Sequence, residues 1–276
     1  NNLVELQLPN SLQEIGARSF SFNSLVEIVI PSEVITIGAE AFLENQLVSL
    51  LLGSQISVIG EEAFASNRIS SLVIPENVQT IEAGAFRANG LVSLALREGI
   101  QSVGRAAFID NNLTELVIPE SLKSVGIAAF SGNGLEIVKG LQNLEEIGER
   151  AFAFNKLKDG VAFKEGVTLG DGAFWVNQIT GVSLPVGMVT LASEVFAQNN
   201  LVEVNLPDSL KVIGYRAFAQ NNLPKISLPE SVTEIGRSAF QTNELTQVVI
   251  PRNVEDVERE AFADNQLSRV DFLGWL

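Results

Sequence analysis

Leu113-Thr114-Glu115-Leu116-Val117-Ile118-Pro119-Glu120-Ser121-Leu122-Lys123-Ser124-Val125-Gly126-Ile127-Ala128-Ala129-Phe130-Ser131-Gly132-Asn133-Gly134 is one period of a pattern that fills the chain. Phe130 has counterparts at 20, 42, 64, 86, 108, 152, 174, 196, 218, 240 and 262, a spacing of 22 with no exception. An Asn follows three positions after each of these Phe, from Asn23 to Asn265, and a Leu or Ile opens each unit. Self-similarity at a fixed period outranks local signals, because the whole fold depends on it. Twelve units without an insertion leave no room for a linker, so residues 1–276 read as a single domain.

Within the unit, residues 113–118 alternate as a strand does, and Pro119, which cannot donate to a ladder, marks its exit. A second apolar pair follows, Leu122 and Val125, and then Gly126, read as the residue that permits a bend. Ala129-Phe130 is expected in a short helical or 3-10 turn on the outer side, with the Asn amide satisfying backbone groups of a tight loop. One unit cannot bury its own Leu and Phe, whereas stacked neighbours can. A parallel sheet on one face and a stacked Phe ladder inside are therefore predicted.

Composition narrows the function classes. The chain of 276 residues has no Cys and no His, which removes a disulfide framework, a thiolate nucleophile, Ser–His chemistry and the commonest zinc ligands. Its net charge is 18 − 33 = −15, spread as 6 − 14 = −8 over residues 1–134 and 12 − 19 = −7 over 135–276. An acidic surface disfavours nucleic acid and anionic membranes, both of which need clustered Lys and Arg. No apolar run has the roughly 20 residues needed to span a bilayer, so direct membrane insertion is not expected. Asn1-Asn2-Leu3 recurs at 111–113, 199–201 and 221–223, so the sequence is expected to begin inside a longer array, with targeting and anchoring segments outside it.

Carboxylate pairs such as Glu61-Glu62, Glu145-Glu146 and Glu255-Asp256 fall on turns, and a solenoid without insertions offers no cleft for acid–base work. No calcium loop or glycine-rich phosphate loop occurs, so no metal, cofactor or catalytic residue is expected.

These residues resemble the BspA-like branch of the leucine-rich repeats. Pro31…Val34-Ile35-Thr36-Ile37-Gly38…Ala41-Phe42 and Pro229…Val232-Thr233-Glu234-Ile235-Gly236…Ala239-Phe240 match its strand, Pro, Ile-Gly and Ala-Phe steps. The chain departs from the family in placing Asn, as at Asn133 and Asn243, where Cys is frequent. The resemblance implies a leucine-rich-repeat solenoid: a right-handed curved superhelix with a parallel β-sheet on one face and short helical turns on the other. It also implies a secreted or cell-surface protein and a non-enzymatic adhesion role toward host or neighbouring-cell proteins.

Function must then reside where units differ. In the strand L-x-x-L-x-L the third and fifth residues face solvent. The fifth positions run Val29, Leu51, Val73, Ala95 and Val117, an apolar stripe beside third positions that include Glu27 and Glu115. Such a stripe with a polar border fits a protein-recognition patch. The competing reading is strand propensity alone, since Val favours strands even when exposed. A second candidate patch lies in residues 135–178, where the pattern degrades and Lys139, Phe163 and Trp175 appear. It reads either as an aromatic and cationic hot spot or as repeat drift, with Phe163 and Trp175 filling gaps and a bend or register slip in the sheet. Trp175 aside, the C-terminal stretch is expected either to fold Trp275 across the last coil or to run into a further domain downstream. The alternatives to protein binding are a polysaccharide-binding or spacer domain of a larger secreted enzyme.

Overall fold

The computed structural model describes residues 1–273; Trp275 lies outside them. The chain forms two compact units, Asn1–Asn143 and Leu144–Leu276, each built of stacked 22-residue coils. Among the described residues every strand pair is parallel, and most coils contribute to two ladders rather than to the one predicted.

In the first unit the sheet-face ladder uses the L-x-x-L-x-L segment. Glu27–Val29 pairs with Ser49–Leu51, Ser71–Val73 with Ser93–Ala95, and Glu115–Val117 with Ile137–Lys139. The second ladder runs through the step before the Gly, from Glu14–Ile15 through Thr36–Ile37, Val58–Ile59 and Thr80–Ile81 to Ser102–Val103 and Ser124–Val125. Inward residues of the two ladders close on the Phe column. Phe42, Phe64, Phe86, Phe108 and Phe130 are fully buried, their neighbouring rings stacked 5.2–5.5 Å apart and within 6° of parallel. Their burial removes large apolar surfaces from water and is the main source of cohesion between coils.

Gly126 has another reason than the predicted bend. A Cβ there would lie 2.8 Å from the Arg105 nitrogen and the Gly104 carbonyl carbon, so the glycine lets successive coils approach backbone to backbone.

Among the described residues the one 3-10 helix, Leu141–Asn143, follows the sheet-face strand Ile137–Lys139, and none occupies the Ala-Phe step where helical turns are predicted. The outer side consists of turns with two left-handed residues per coil, four apart: Arg18 and Phe22, Glu40 and Glu44, Glu62 and Ser66, and so on. A helix would spend its N–H groups internally. Here Glu40, Phe42 and Glu44 donate instead to the Glu61, Ala63 and Ala65 carbonyls of the next coil at 2.7–3.0 Å. Twenty-two residues are too few to supply both an α-helix and two ladders with their connections.

The Asn column does what its amide chemistry predicts. Asn67 Oδ1 accepts the Leu47 N–H at 3.0 Å, and its Nδ2 donates to the Phe42, Phe64 and Ala65 carbonyls at 3.0–3.2 Å. One side chain thus ties two coils together, and among the described residues no buried side-chain N or O lacks a partner.

The second unit keeps the two ladders with three irregularities. Val161–Ala162 pairs with Gly181–Ser183 in the register Val161↔Val182, an offset of 21 rather than 22. Thr168–Leu169 and Thr190–Leu191 are not paired, so the second ladder opens between them. After Glu203–Asn205 the sheet-face ladder skips one coil, because Pro224 occupies a position whose N–H elsewhere donates to the preceding coil, as Val202 does to Thr180 at 2.9 Å; it resumes where Gln247–Ile250 pairs with Arg269–Phe272.

Candidate functional site

The strands of the first unit present their fifth positions outward in one row. Val29, Leu51, Val73 and Val117 are 60, 62, 52 and 56% exposed, and the small Ala95 between them is half-buried. Period-2 alternation explains this, since Ile28, Leu72 and Leu116 point into the core beneath them. Register aligns the row: Val29 lies opposite Leu51, Val73 opposite Ala95, and Val117 opposite Lys139, whose exposed side chain ends the apolar run.

Glu27 and Glu115 are exposed at third positions, with Ser49, Ser71 and Ser93 between them. A further exposed apolar group escaped the sequence reading. Val26, Val48 and Val92, at the second position, are 48, 49 and 54% exposed. The second position lies before the strand, where strict alternation no longer applies. The signal was available as the recurrence of Val directly after the opening Leu.

At the strand exit, Glu98 accepts the N–H groups of Glu120 and Ser121 at 3.1 Å each. These backbone donors hold its carboxyl below the usual carboxylate range. Toward the N-terminal end of the same face an open groove of about 770 Å³ includes Val4, Glu5, Val26, Glu27 and Val29. The face therefore offers shape, aliphatic contact and fixed negative charge.

The second candidate patch is dispersed. Lys139 is exposed on the sheet face. Phe163 is turned inward, with its ring 5.5 Å from Phe174 and 6.3 Å from Phe196. Trp175 is half-buried on the turn side, edge-on to Phe154 at 4.9 Å and beneath the Arg150 guanidinium at 5.3 Å. Phe154 is 46% exposed and sits at φ 55°, a conformation unusual for so large a residue. Among the described residues no group of three or more acidic side chains is arranged to hold a metal ion. No helix among them is long and apolar enough to cross a membrane.

Comparison with known proteins accords with this geometry. The family described as "BspA type Leucine rich repeat region (6 copies)" matches residues 1–112, 57–179, 101–220 and 167–274. Among solved structures, the chain is similar to the pneumococcal vaccine antigen PcpA, with a TM-score of 0.67 and 20% identity over 95% of this chain and 73% of that one. It is also similar to a leucine-rich repeat protein from Bacteroides ovatus, with a TM-score of 0.65 and 22% identity over 98% and 84% of the two chains. A leucine-rich cell surface protein from Faecalibacterium prausnitzii gives 0.53 and 19% over 96% and 84%. At these identities the structures establish the fold. No curated protein matches the chain. The matched family indicates no enzyme, and its repeats cover almost the entire sequence: the chain belongs to the BspA-type leucine-rich repeat family.

Proposed function

We propose that the protein is a non-catalytic binding and adhesion module, secreted or displayed at a cell surface, that recognises a protein ligand through the sheet face of residues 1–143. The observation that carries this reading is the exposed aliphatic row Val29, Leu51, Val73, Ala95 and Val117, widened by Val26, Val48 and Val92 and bordered by Glu27 and Glu115. Exposed aliphatic surface of this extent has a cost in water that a bound partner removes, and charged residues at its edge set specificity and association rate. The surface-protein and vaccine-antigen descriptions of two structural neighbours support the extracellular placement.

The test is adhesion of the purified chain to immobilised host-cell and extracellular-matrix proteins, comparing it with a Val73→Lys, Val117→Lys double variant. Loss of adhesion with an unchanged thermal midpoint is the expected result. Undiminished adhesion by the double variant rejects the sheet face.

A second reading, polysaccharide binding as an accessory domain of a larger secreted enzyme, draws support from the Phe154–Trp175 pair under Arg150, since sugar rings stack on exposed aromatics. It predicts that Phe154→Ala, and not Val73→Lys, abolishes retention on a polysaccharide matrix.

A further inference from the structure

The sheet face of residues 1–143 carries more than an aliphatic row: it is a trough with an acidic rim. In each coil the second and fifth positions of the strand segment stand on either side of the third. Val29, Leu51, Val73 and Val117 form one wall, and Val26, Val48 and Val92 form the other, interrupted at the exposed Ser70. Between the walls, the three middle coils place the small, exposed Ser49, Ser71 and Ser93. Glu27 and Glu115 close the two ends. The open groove of about 770 Å³ that includes Val26, Glu27, Val29 and Ser49 is the N-terminal end of this trough.

Its dimensions select a helix over a strand. The walls are three residues apart, about 10 Å of extended chain, and an α-helix with its side chains is roughly 10–12 Å across. Along the stack the coils repeat every 5.2–5.5 Å at the Phe column. A helix advances about 5.4 Å per turn, so one laid along the trough sets one turn over each coil and keeps phase across all five. Even at the spacing of bonded strands, about 4.8 Å, the drift over four steps is only about 2 Å. An extended segment laid the same way repeats its same-face side chains every 6.6 Å or so, and is half a coil out of step after two coils.

The rim fixes the partner's charge. Across the five strand segments and their exits, at 25–34, 47–56, 69–78, 91–100 and 113–122, the acids are Glu27, Glu33, Glu76, Glu98, Glu115 and Glu120. Arg97 is the one cation there, and all seven side chains are exposed. Cations on the outer turns are engaged with acids of their own, Arg18 with Glu40 at 2.6 Å and Arg87 with Glu62 at 3.0 Å. Among the described residues no ion pair engages any of the six rim carboxylates. Such a rim steers Lys and Arg toward the trough and repels carboxylates.

We propose that the protein ligand of this face presents a basic amphipathic α-helix that lies along the trough, about 14 residues long at roughly 1.5 Å per residue. This assignment rests on the sheet face being the binding surface. An aliphatic stripe on the helix, with residues three and four apart, packs between the two valine walls. Lys and Arg beside that stripe reach the strand-exit carboxylates Glu33, Glu76, Glu98 and Glu120. The serine floor lets the helix settle without a clash, and Glu27 and Glu115 meet cations near its two ends.

The test is fluorescence anisotropy of the whole chain with labelled peptides of about five helical turns. The patterned probe has leucine three and four residues apart on one stripe, lysine beside it and alanine elsewhere. A second peptide has the same composition in an order that leaves no stripe, and a third has glutamate in place of lysine. The patterned peptide is expected to bind roughly tenfold or more tightly than the unpatterned one, to gain helix by circular dichroism on binding, and to weaken as salt is raised. The glutamate peptide is expected not to bind. Ser71→Arg, which fills the trough floor, abolishes binding at an unchanged thermal midpoint, whereas Glu61→Arg, a larger change of charge on the outer turns, leaves it intact. Equal binding of the unpatterned peptide, binding without a gain of helix, or equal weakening by Glu61→Arg overturns the proposal. If the patterned peptide fails to bind while the Val73→Lys, Val117→Lys variant still loses adhesion, the sheet face stands and the helical partner alone is rejected.

Discussion

Val161 pairs with Val182, twenty-one residues along the chain, and this slip explains the residue that stands where the repeat has its strand-ending proline. In the coil that opens at Leu157, the usual inward positions are held by Gly160 and Ala162, which have little to bury. Moving the strand by one residue turns Val161 and Phe163 inward instead, and a period-2 element flips its whole buried set with such a shift. Phe163 then reaches Phe174 and Phe196.

Phe163→Pro restores the repeat's own residue, yet it is expected to destabilise the protein. Phe163→Ala removes a half-buried ring and lowers stability by about 2–4 kcal/mol, at or below the range for fully buried Phe. Phe163→Pro does at least as much, because the position now belongs to the core and not to the strand exit. Urea unfolding of both variants checks this. A stabilised Phe163→Pro protein would show that the slip is not fixed by core packing.

The irregular stretch shows what was legible from sequence and what was not. The invariant Phe and Asn announced the stack, because their spacing survives without knowledge of any contact. The alternation in Glu27–Val29 also gave the outward row correctly, since one face of that strand is buried against the core. The second ladder was missed because Thr36–Ile37 and its counterparts are only two residues long, too short for periodicity to register. The outer turns were misread as helical because Ala-Phe suits a helix, and only the left-handed residues four apart reveal otherwise. Lys139, Phe163 and Trp175 lie near one another in the sequence, but their surroundings differ; the register slip expected within residues 135–178 is found at Val161, where Gly160 and Ala162 leave the usual inward positions with little to bury.

Backbone strain on the outer side gives a prediction of opposite sign. Val176 holds φ 54°, where its branched Cβ crowds the backbone, and its equivalent in the first unit includes Gly132 at φ 66°. Val176→Gly relieves that crowding and is expected to raise stability by about 1 kcal/mol, while Gly132→Val lowers it by about 1–3 kcal/mol. Thermal midpoints of the two variants, moving in opposite directions, are the check; a destabilised Val176→Gly protein would mean that the valine side chain contributes more by packing than its conformation costs.

Glu98 gives the acid limb of the stability profile a residue. Its carboxyl is held below the ordinary carboxylate range by the Glu120 and Ser121 N–H groups, so the folded state binds a proton less readily than the unfolded state. Stability from this group is therefore present above the unfolded carboxylate pKa, about 4.3, and is lost as pH falls through the lower folded value. Glu98→Gln should be less stable than the parent at neutral pH, and the difference should narrow below about pH 4. Parallel unfolding curves at pH 7 and pH 3 measure it; a gap that stays constant between them would place the effect elsewhere than in the ionised carboxylate.

The two columns inside each coil should fail in different ways. Phe108 is stacked between Phe86 and Phe130, at 5.5 and 5.3 Å, and is fully buried. Phe108→Ala leaves a cavity bordered by two rings and is expected to cost about 3–5 kcal/mol. Phe108→Leu refills most of that volume and should recover a large part of the loss. Asn111 fills little volume, but its Oδ1 accepts the Leu91 N–H at 3.0 Å and its Nδ2 donates to the Phe86 and Phe108 carbonyls at 3.0 and 3.1 Å. Replacing it with the isosteric Leu keeps the volume and strands those backbone groups, at a cost of about 1–3 kcal/mol for each one left unsatisfied. The shape-conserving change is thus mild at Phe108 and severe at Asn111. Denaturation midpoints that ranked them the other way would mean that coils are joined by packing alone, with the amide column dispensable.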